Sequence, residues 1–169
     1  MELFLMRHGV AAAQSPYVDD DQRPLTPQGE QQQRLVVQAL TPLLQPLDHL
    51  LSSPLRRARQ TADIVAETLQ LRGAVEETSV LARDCSMLAL LRRLEAYPRQ
   101  ARLLCVGHEP HMSRLAVGFL AEQGRGAIAF QPGSVIGLAF PGAPAPGSGM
   151  LLFFLRPVDV LSITTSPQP

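Results

Sequence analysis

Residues 3–6 of this chain, Leu3-Phe4-Leu5-Met6, form an unbroken apolar run that stops at Arg7-His8-Gly9. A short apolar run of this kind reads as a strand buried on both faces, as found inside a parallel sheet. Such a strand requires cover on both sides, and helices supply it. In these sheets ligands bind where strands end and loops begin. Arg7 and His8 therefore stand where chemistry is usually placed, and Gly9 lets the backbone turn or approach a ligand closely. Taken alone, the same residues also describe a strand that simply ends in polar side chains, so the rest of the chain has to decide.

The pattern returns at residues 101–106, an apolar run that stops at Gly107-His108-Glu109-Pro110. Between the two runs, strand and helix signals alternate. Thr26-Pro27 reads as an N-cap followed by proline at the first helical position. Leu35, Val36, Ala39, Leu40, Leu43 and Leu44 then recur at helical spacing up to about residue 45, before Pro46. A short strand is predicted over 48–52. Ser53-Pro54 repeats the cap-then-proline signal and opens a helix over about 55–69. A third strand is predicted over 74–81, and a helix capped by Ser86 over about 87–96. After the strand at 101–106, a helix over about 110–121 turns Leu115, Ala116, Phe119 and Leu120 inward. The last quarter reads as a hairpin of 127–130 and 134–140 around Gln131-Pro132-Gly133, a loose Pro/Gly tip, and a strand over 150–156. The expected fold is a three-layer α/β/α domain over 1–157, with a mostly parallel central sheet and helices on both faces. The segment 158–169 is expected to be a mobile tail.

Composition narrows the function. With 169 residues, 46% hydrophobic and 18% charged, the chain suits one soluble globular domain. Net charge is zero, so no overall field draws it to nucleic acid or to anionic lipid. No apolar run approaches a membrane span, and no signal peptide opens the chain, which makes the cytoplasm the expected compartment. Cys85 and Cys105 have no metal-type spacing and read as buried free thiols. The acidic run Asp19-Asp20-Asp21 reads as a solvated loop, because it lacks the spacing and the glycine of a calcium site. No metal or other cofactor is expected.

All 15 basic side chains are arginines, so any anion site must use guanidinium groups. The helix start after Ser53-Pro54 carries Arg56, Arg57 and Arg59. Cations at that end oppose the helix macrodipole unless an anion binds there. Arg56 and Arg59 read as solvent-facing, and Arg57 as turned inward. Arg7, His8, Arg23, Arg57 and His108 together make a pocket for a dianion, since arginine's planar fork pairs with two phosphate oxygens at once. Neighbouring cations disfavour protonation of a histidine, and a neutral imidazole is a competent nucleophile toward phosphorus. His111 is placed at the rim, and His49 is read as structural.

The stretches LMRHG, SSPLRRARQTA and VGHEP, in this order, resemble the three signatures of the histidine phosphatase superfamily, with its phosphoglycerate mutase-like fold. RPLTPQGEQQ and the short chain are most similar to the SixA-type phosphohistidine phosphatases. The resemblance runs from residue 1 to about 156. It implies that His8 becomes phosphorylated, that Arg7 and Arg57 clamp the phosphoryl group, and that His108 hydrogen-bonds its oxygens. It also brings Arg23 to the pocket, with Gly9 at the substrate. Mutases and ester phosphatases of the superfamily use a carboxylic acid from the region after the third strand. Here that region is Arg83-Asp84-Cys85-Ser86, without the usual glutamate, and Asp84 is the candidate proton donor. An alkoxide needs a proton to leave, whereas an imidazole leaves more easily. The gap favours a phosphohistidine protein, such as a histidine phosphotransfer domain, as substrate and partner. The alternatives are a small phosphate ester as substrate, or a phosphate-binding module without turnover. A mutase is disfavoured by the short chain.

Overall fold

The computed structural model describes residues 1–17, 19–122 and 126–165. A six-stranded sheet forms its middle layer: β1 (Glu2–Arg7), β2 (His49–Ser52), β3 (Glu76–Glu77), β4 (Arg102–Gly107), β5 (Val135–Ala139) and β6 (Met150–Leu155), in the order β3-β2-β4-β1-β5-β6. The first four strands in that order run parallel, while β5 and β6 are antiparallel to their neighbours. Five helices cover it: α1 (Pro27–Leu44), α2 (Arg56–Leu69), α3 (Met87–Leu94), α4 (His111–Leu120) and α5 (Pro157–Thr165).

Alternation along β1 shows why there are three layers. Leu3 and Leu5 join the core beneath α3 and α4, with Leu90, Leu94, Met112, Leu115 and Phe119. Phe4 and Met6 join the opposite core beneath α1, α2 and α5, with Val36, Leu40, Ala58, Val65 and Val160. Successive side chains of a strand point to opposite faces, so one apolar run feeds both cores.

The expected elements recur, with several corrections. Thr26 caps α1, its Oγ1 accepting from Gly29 N–H at 2.9 Å. Leu35 and Leu43, expected inside, are 46% and 43% exposed, and Val37 takes the inner face with Val36, Leu40 and Leu44. The third strand is only two residues long, because Thr78 caps a 3₁₀ turn at Ser79–Leu81 that ends it. The hairpin is absent: 127–130 is irregular, and both edges of β5 are already taken, by β1 and by β6. The expected turn does form, with Gly133 at φ +85° and Ser134 N–H donating to Gln131 O. The segment expected to fray instead builds α5, whose Val160 is buried against the α1–α2 side. The Ser-Pro-Gln-Pro end lies outside the described residues. Cys85 and Cys105 are buried free thiols, and burial pushes both thiols up, Cys85 to about 11.

Two features of this frame position the polar loops. Arg7 pairs with Gly107 across β1 and β4, and Ser52 with Val106 across β2 and β4. Three adjacent parallel strands thus end at one edge, and His8, Ser53 and His108 leave them side by side. The loop after β1 then folds back against α1. Thr26 N–H donates to Val10 O at 2.9 Å, and a Cβ added at Gly29 would lie 2.2 Å from the same oxygen. Replacing an exposed helical glycine by alanine normally stabilises by about 0.5–1 kcal/mol. Gly29→Ala should instead destabilise by about 1–3 kcal/mol, as overpacking does. Urea denaturation of the two proteins checks this; a midpoint unchanged or raised would show that this loop does not press on α1.

Candidate active site

His8 is held by its own backbone turn. Its Nδ1 lies 2.7 Å from Gly9 O, and a carbonyl can only accept, so Nδ1 carries the proton. The lone pair is therefore on Nε2, which accepts from Arg57 Nε–H at 3.2 Å. His8 is 7% exposed. Burial pushes its pKa down to about 4; the Gly9 carbonyl opposes this, and Arg57, Arg7 and Arg23 add to it. At neutral pH the ring is uncharged, with an available nitrogen aimed among guanidinium groups.

Arg57 enters from the first turn of α2 and is 5% exposed, as its inward reading required. Arg56 and Arg59 point outward: Arg59 pairs with Asp63 at 2.9 Å and Glu77 at 2.7 Å, and Arg56 reaches Gln22 O. Ser53 does not cap α2, whose N-cap is Leu55 and makes no side-chain cap bond. Because the helix starts three residues later, Ser53 Oγ is free to lie 2.8 Å from His108 Nε2 while accepting from Leu55 N–H. His108 Nε2 and Ser53 Oγ share this hydrogen bond, and His108 Nδ1 is a buried atom without a protein partner. The two imidazoles face each other with centroids 5.1 Å apart. Burial pushes the His108 pKa down to about 3, with the charges of His8 and Arg57 next in weight.

Arg7, at the end of β1, donates from Nη1 to Phe130 O at 2.7 Å, and its Nε is buried without a protein partner. Arg23 donates from Nη1 to Ala12 O at 3.0 Å. Arg7, His8, Arg23, Arg57 and His108 line one cavity of about 300 Å³, together with Val10, Ala11, Glu109 and Pro132. Unpaired buried donors on such a wall are satisfied by an acceptor with several oxygens. The arrangement can hold a tetrahedral anion between guanidinium forks and present it to His8 Nε2.

Not every expected site residue reaches the cavity. Gly9 does not line it: its N–H goes to Thr61 Oγ1 at 3.1 Å and its carbonyl to His8, so it orients the histidine. Its φ is not left-handed. A Cβ there would press on Gln33 Oε1 at 3.3 Å, so close packing against α1 explains the glycine. Asp84 is exposed and does not line the cavity. His111 is half-buried and does not line the cavity. His49 sits on Glu76 and Tyr97 at the far end of β2.

Two carboxyl groups were missed. Glu109 lines the cavity, its Oε1 accepting from Ser113 N–H at 3.0 Å and its Oε2 from the Ser113 hydroxyl. The signal was its place directly after His108. Asp20, from the run read as solvated, is drawn in by arginines. Its Oδ2 lies 3.1 Å from Arg57 Nη2 and 3.0 Å from Arg83 Nη2, and its Oδ1 lies 2.8 Å from Arg23 Nε.

The buried imidazoles link stability to pH. Each ring binds its proton less readily in the folded chain than in the unfolded one, where the ordinary value is 6.5. As pH falls from about 6.5 to about 4, the unfolded chain takes up protons that the folded chain refuses, and stability falls through that window. The loss should amount to roughly a few kcal/mol, since a tenfold change in proton affinity is worth about 1.4 kcal/mol. Urea denaturation at pH 7 and pH 4.5 should show it, and His108→Asn should flatten the slope. Equal slopes in the two proteins would mean that His108 is not held neutral.

Comparisons with known proteins agree with this geometry. Residues 3–82 match the family model of the histidine phosphatase superfamily (branch 1). An uncharacterised protein of Picosynechococcus sp. is 39% identical over 82% of this chain and 84% of its own length. The phosphohistidine phosphatase SixA of Escherichia coli is 32% identical over 73% of each chain. Among solved structures, that of the protein histidine phosphatase SixA complexed with tungstate is 26% identical, covers 95% of this chain and 99% of its own, and superposes with a TM-score of 0.82. Three strand ends that gather two neutral imidazoles among arginines, and a sequence that aligns with SixA along most of its length, give one answer: the chain belongs to the histidine phosphatase superfamily and is a SixA-like member of it.

Proposed function

We propose that this chain is a phosphohistidine phosphatase with His8 as its nucleophile. The observation that carries the reading is the His8 tautomer: Nδ1–H is committed to Gly9 O, leaving the Nε2 lone pair at a cavity lined by Arg7, Arg23 and Arg57. Nε2 attacks phosphorus while the guanidinium groups and His108 take the charge that builds on the equatorial oxygens. Arg57 Nε–H, donated to Nε2 before substrate arrives, is then redirected to a phosphoryl oxygen. The P–N bond of the substrate breaks, its imidazole departs, and water hydrolyses phospho-His8 to release phosphate. The tungstate bound by the SixA relative is a tetrahedral oxyanion of the same class, which supports an anion in this cavity.

The leaving group argues for a phosphoramidate. Asp84, the candidate donor, is exposed and away from the cavity. A second reading, hydrolysis of a small phosphate ester, draws on Glu109, the one carboxyl group among the described residues that line the cavity. A substrate panel separates the two: phosphate release from a phosphohistidine protein, such as a phosphorylated histidine phosphotransfer domain, against release from sugar phosphates and nucleotides. A preference for the phosphohistidine protein is expected, and faster turnover of the esters would overturn it.

His8→Ala should abolish turnover and the acid-labile phosphoryl group trapped on the protein. Arg57→Ala should lower kcat by roughly a hundredfold or more, the usual cost of one preorganised donor. A His8→Ala protein that retained most of its activity would place the nucleophile elsewhere.

A further inference from the structure

Phosphoryl transfer as described leaves one buried contact unused. Arg57 makes three hydrogen bonds, and two of them go to a single residue. Its Nη1 donates to Asp20 O at 2.6 Å, its Nη2 to Asp20 Oδ2 at 3.1 Å, and its Nε to His8 Nε2 at 3.2 Å. A guanidinium is a rigid plane. Fixing both Nη atoms fixes the direction of Nε, so Asp20 dictates that Arg57 points at the nucleophilic nitrogen.

The same carboxylate reaches Arg23 Nε at 2.8 Å. Arg23 and Arg57 share one wall of the cavity and repel each other, and neither can shed its charge. Asp20 lies against both, yet it is not among the residues that line the cavity. It therefore stands behind the two guanidinium groups and does not take the place of an anion in front of them. Arg83 also touches Asp20, but its side chain is 53% exposed, and an ion pair from that side adds little. The backbone supports the placement. Asp20–Gln22 is a 3₁₀ turn, capped by Asp19 Oδ1 accepting from Asp21 N–H at 3.1 Å, and Arg23 follows directly. Partial desolvation pushes the Asp20 carboxyl up, but the charges of Arg57, Arg23 and Arg83 outweigh it and hold the group ionised below the ordinary carboxylate range.

We infer that Asp20 is a positioning residue for phosphoryl transfer: its carboxylate and carbonyl aim Arg57 at His8 and allow Arg23 to share the wall. The inference rests on His8 being the nucleophile. It distinguishes aim from affinity. Without Asp20 the pocket becomes more positive, so it still attracts phosphate, but Arg57 is no longer aligned. Misplacing one reacting or stabilising group by an ångström can cost about a hundredfold in rate.

The test uses the full chain with Asp20→Ala, Asp20→Asn and Asp20→Glu, p-nitrophenyl phosphate and a phosphohistidine protein as substrates, and inorganic phosphate as the binding probe. For Asp20→Ala, kcat should fall about tenfold or more on both substrates, while phosphate binds within about threefold of wild type or more tightly. Asp20→Glu should recover part of kcat. The ¹⁵N resonance of His8 Nε2 should move to that of an unbonded ring nitrogen in Asp20→Ala, with Nδ1 unchanged, a readout that does not require turnover. A kcat within twofold of wild type overturns the inference. So does a fall in kcat matched by equally weakened phosphate binding, which would mean that Asp20 only holds the loop. So does an unmoved Nε2 resonance. A rise in kcat with tighter phosphate binding would show instead that Asp20 competes with the anion. If Asp20→Ala does not fold, the isosteric Asp20→Asn is read by the same criteria. Failure of the His8 reading is recognised separately, by a wild-type protein that releases no phosphate and traps none on His8.

Discussion

The hydrogen bond from His8 Nδ1–H to the carbonyl of Gly9 is the contact on which the site depends. The missing side chain of Gly9 lets this segment lie close against α1, while its N–H is anchored on Thr61 of α2. Thr61 Oγ1 in turn donates to Arg57 O at 2.7 Å. The tautomer of the histidine is thus tied to the helix that delivers Arg57. β1 is paired on both sides, with β4 and β5, so its last residues are fixed where His8 leaves it.

Charge balance is the second constraint, and it is sharper here because the basic residues are all arginines. A buried lysine can lose its proton, whereas an arginine cannot. Burial pulls the affinity of Arg57 for its proton down, and Asp20 raises it again. An uncompensated buried guanidinium would cost several kcal/mol. The chain solves this with carboxylates set to the side of the cavity and with carbonyl acceptors such as Phe130 O and Ala12 O. The imidazoles give way instead: burial holds both neutral, and the neighbouring guanidinium groups add to it.

Much of this could be read from residue order. The two apolar runs ending in histidine point to two strand exits at the same end of a parallel sheet; that β1 and β4 are neighbours is shown by the structure. Arg57 was legible because its helix start is wrong for a cation unless it faces an anion. What escaped has a common cause: side-chain direction was decided by where a turn begins, which propensity does not resolve. Ser53 carries the signal of a helix cap, but α2 starts at Arg56, and the hydroxyl serves His108. Three consecutive aspartates look like surface, and only the 3₁₀ turn selects Asp20 to face inward. The residues at 127–130 look like a strand by composition. They are excluded from the sheet because β5 has no free edge, a fact about the sheet that local sequence does not contain. The segment after residue 157 reads as a tail because it runs into Ser-Pro-Gln-Pro. Val160 nevertheless finds a gap beside α1, and that gap exists only once the helices are packed.

The proton inventory of the cavity bears on which bond the site can break. Ser113 N–H donates to Glu109 Oε1, and the Ser113 hydroxyl, with one proton to give, lies between Glu109 Oε2 and Ile128 O, so this carboxyl is tethered to the start of α4. Its electrostatic partner is Arg7, across the same cavity. A group so tethered must leave Ser113 before it can reach toward a leaving alkoxide. A phosphohistidine makes less demand. With a proton on its other ring nitrogen, the departing nitrogen takes the P–N electron pair as an in-plane lone pair and the ring leaves as neutral imidazole. Under the proposed reading, the tether on Glu109 and the position of Asp84 outside the cavity both favour a substrate whose leaving group needs no acid from the cavity wall.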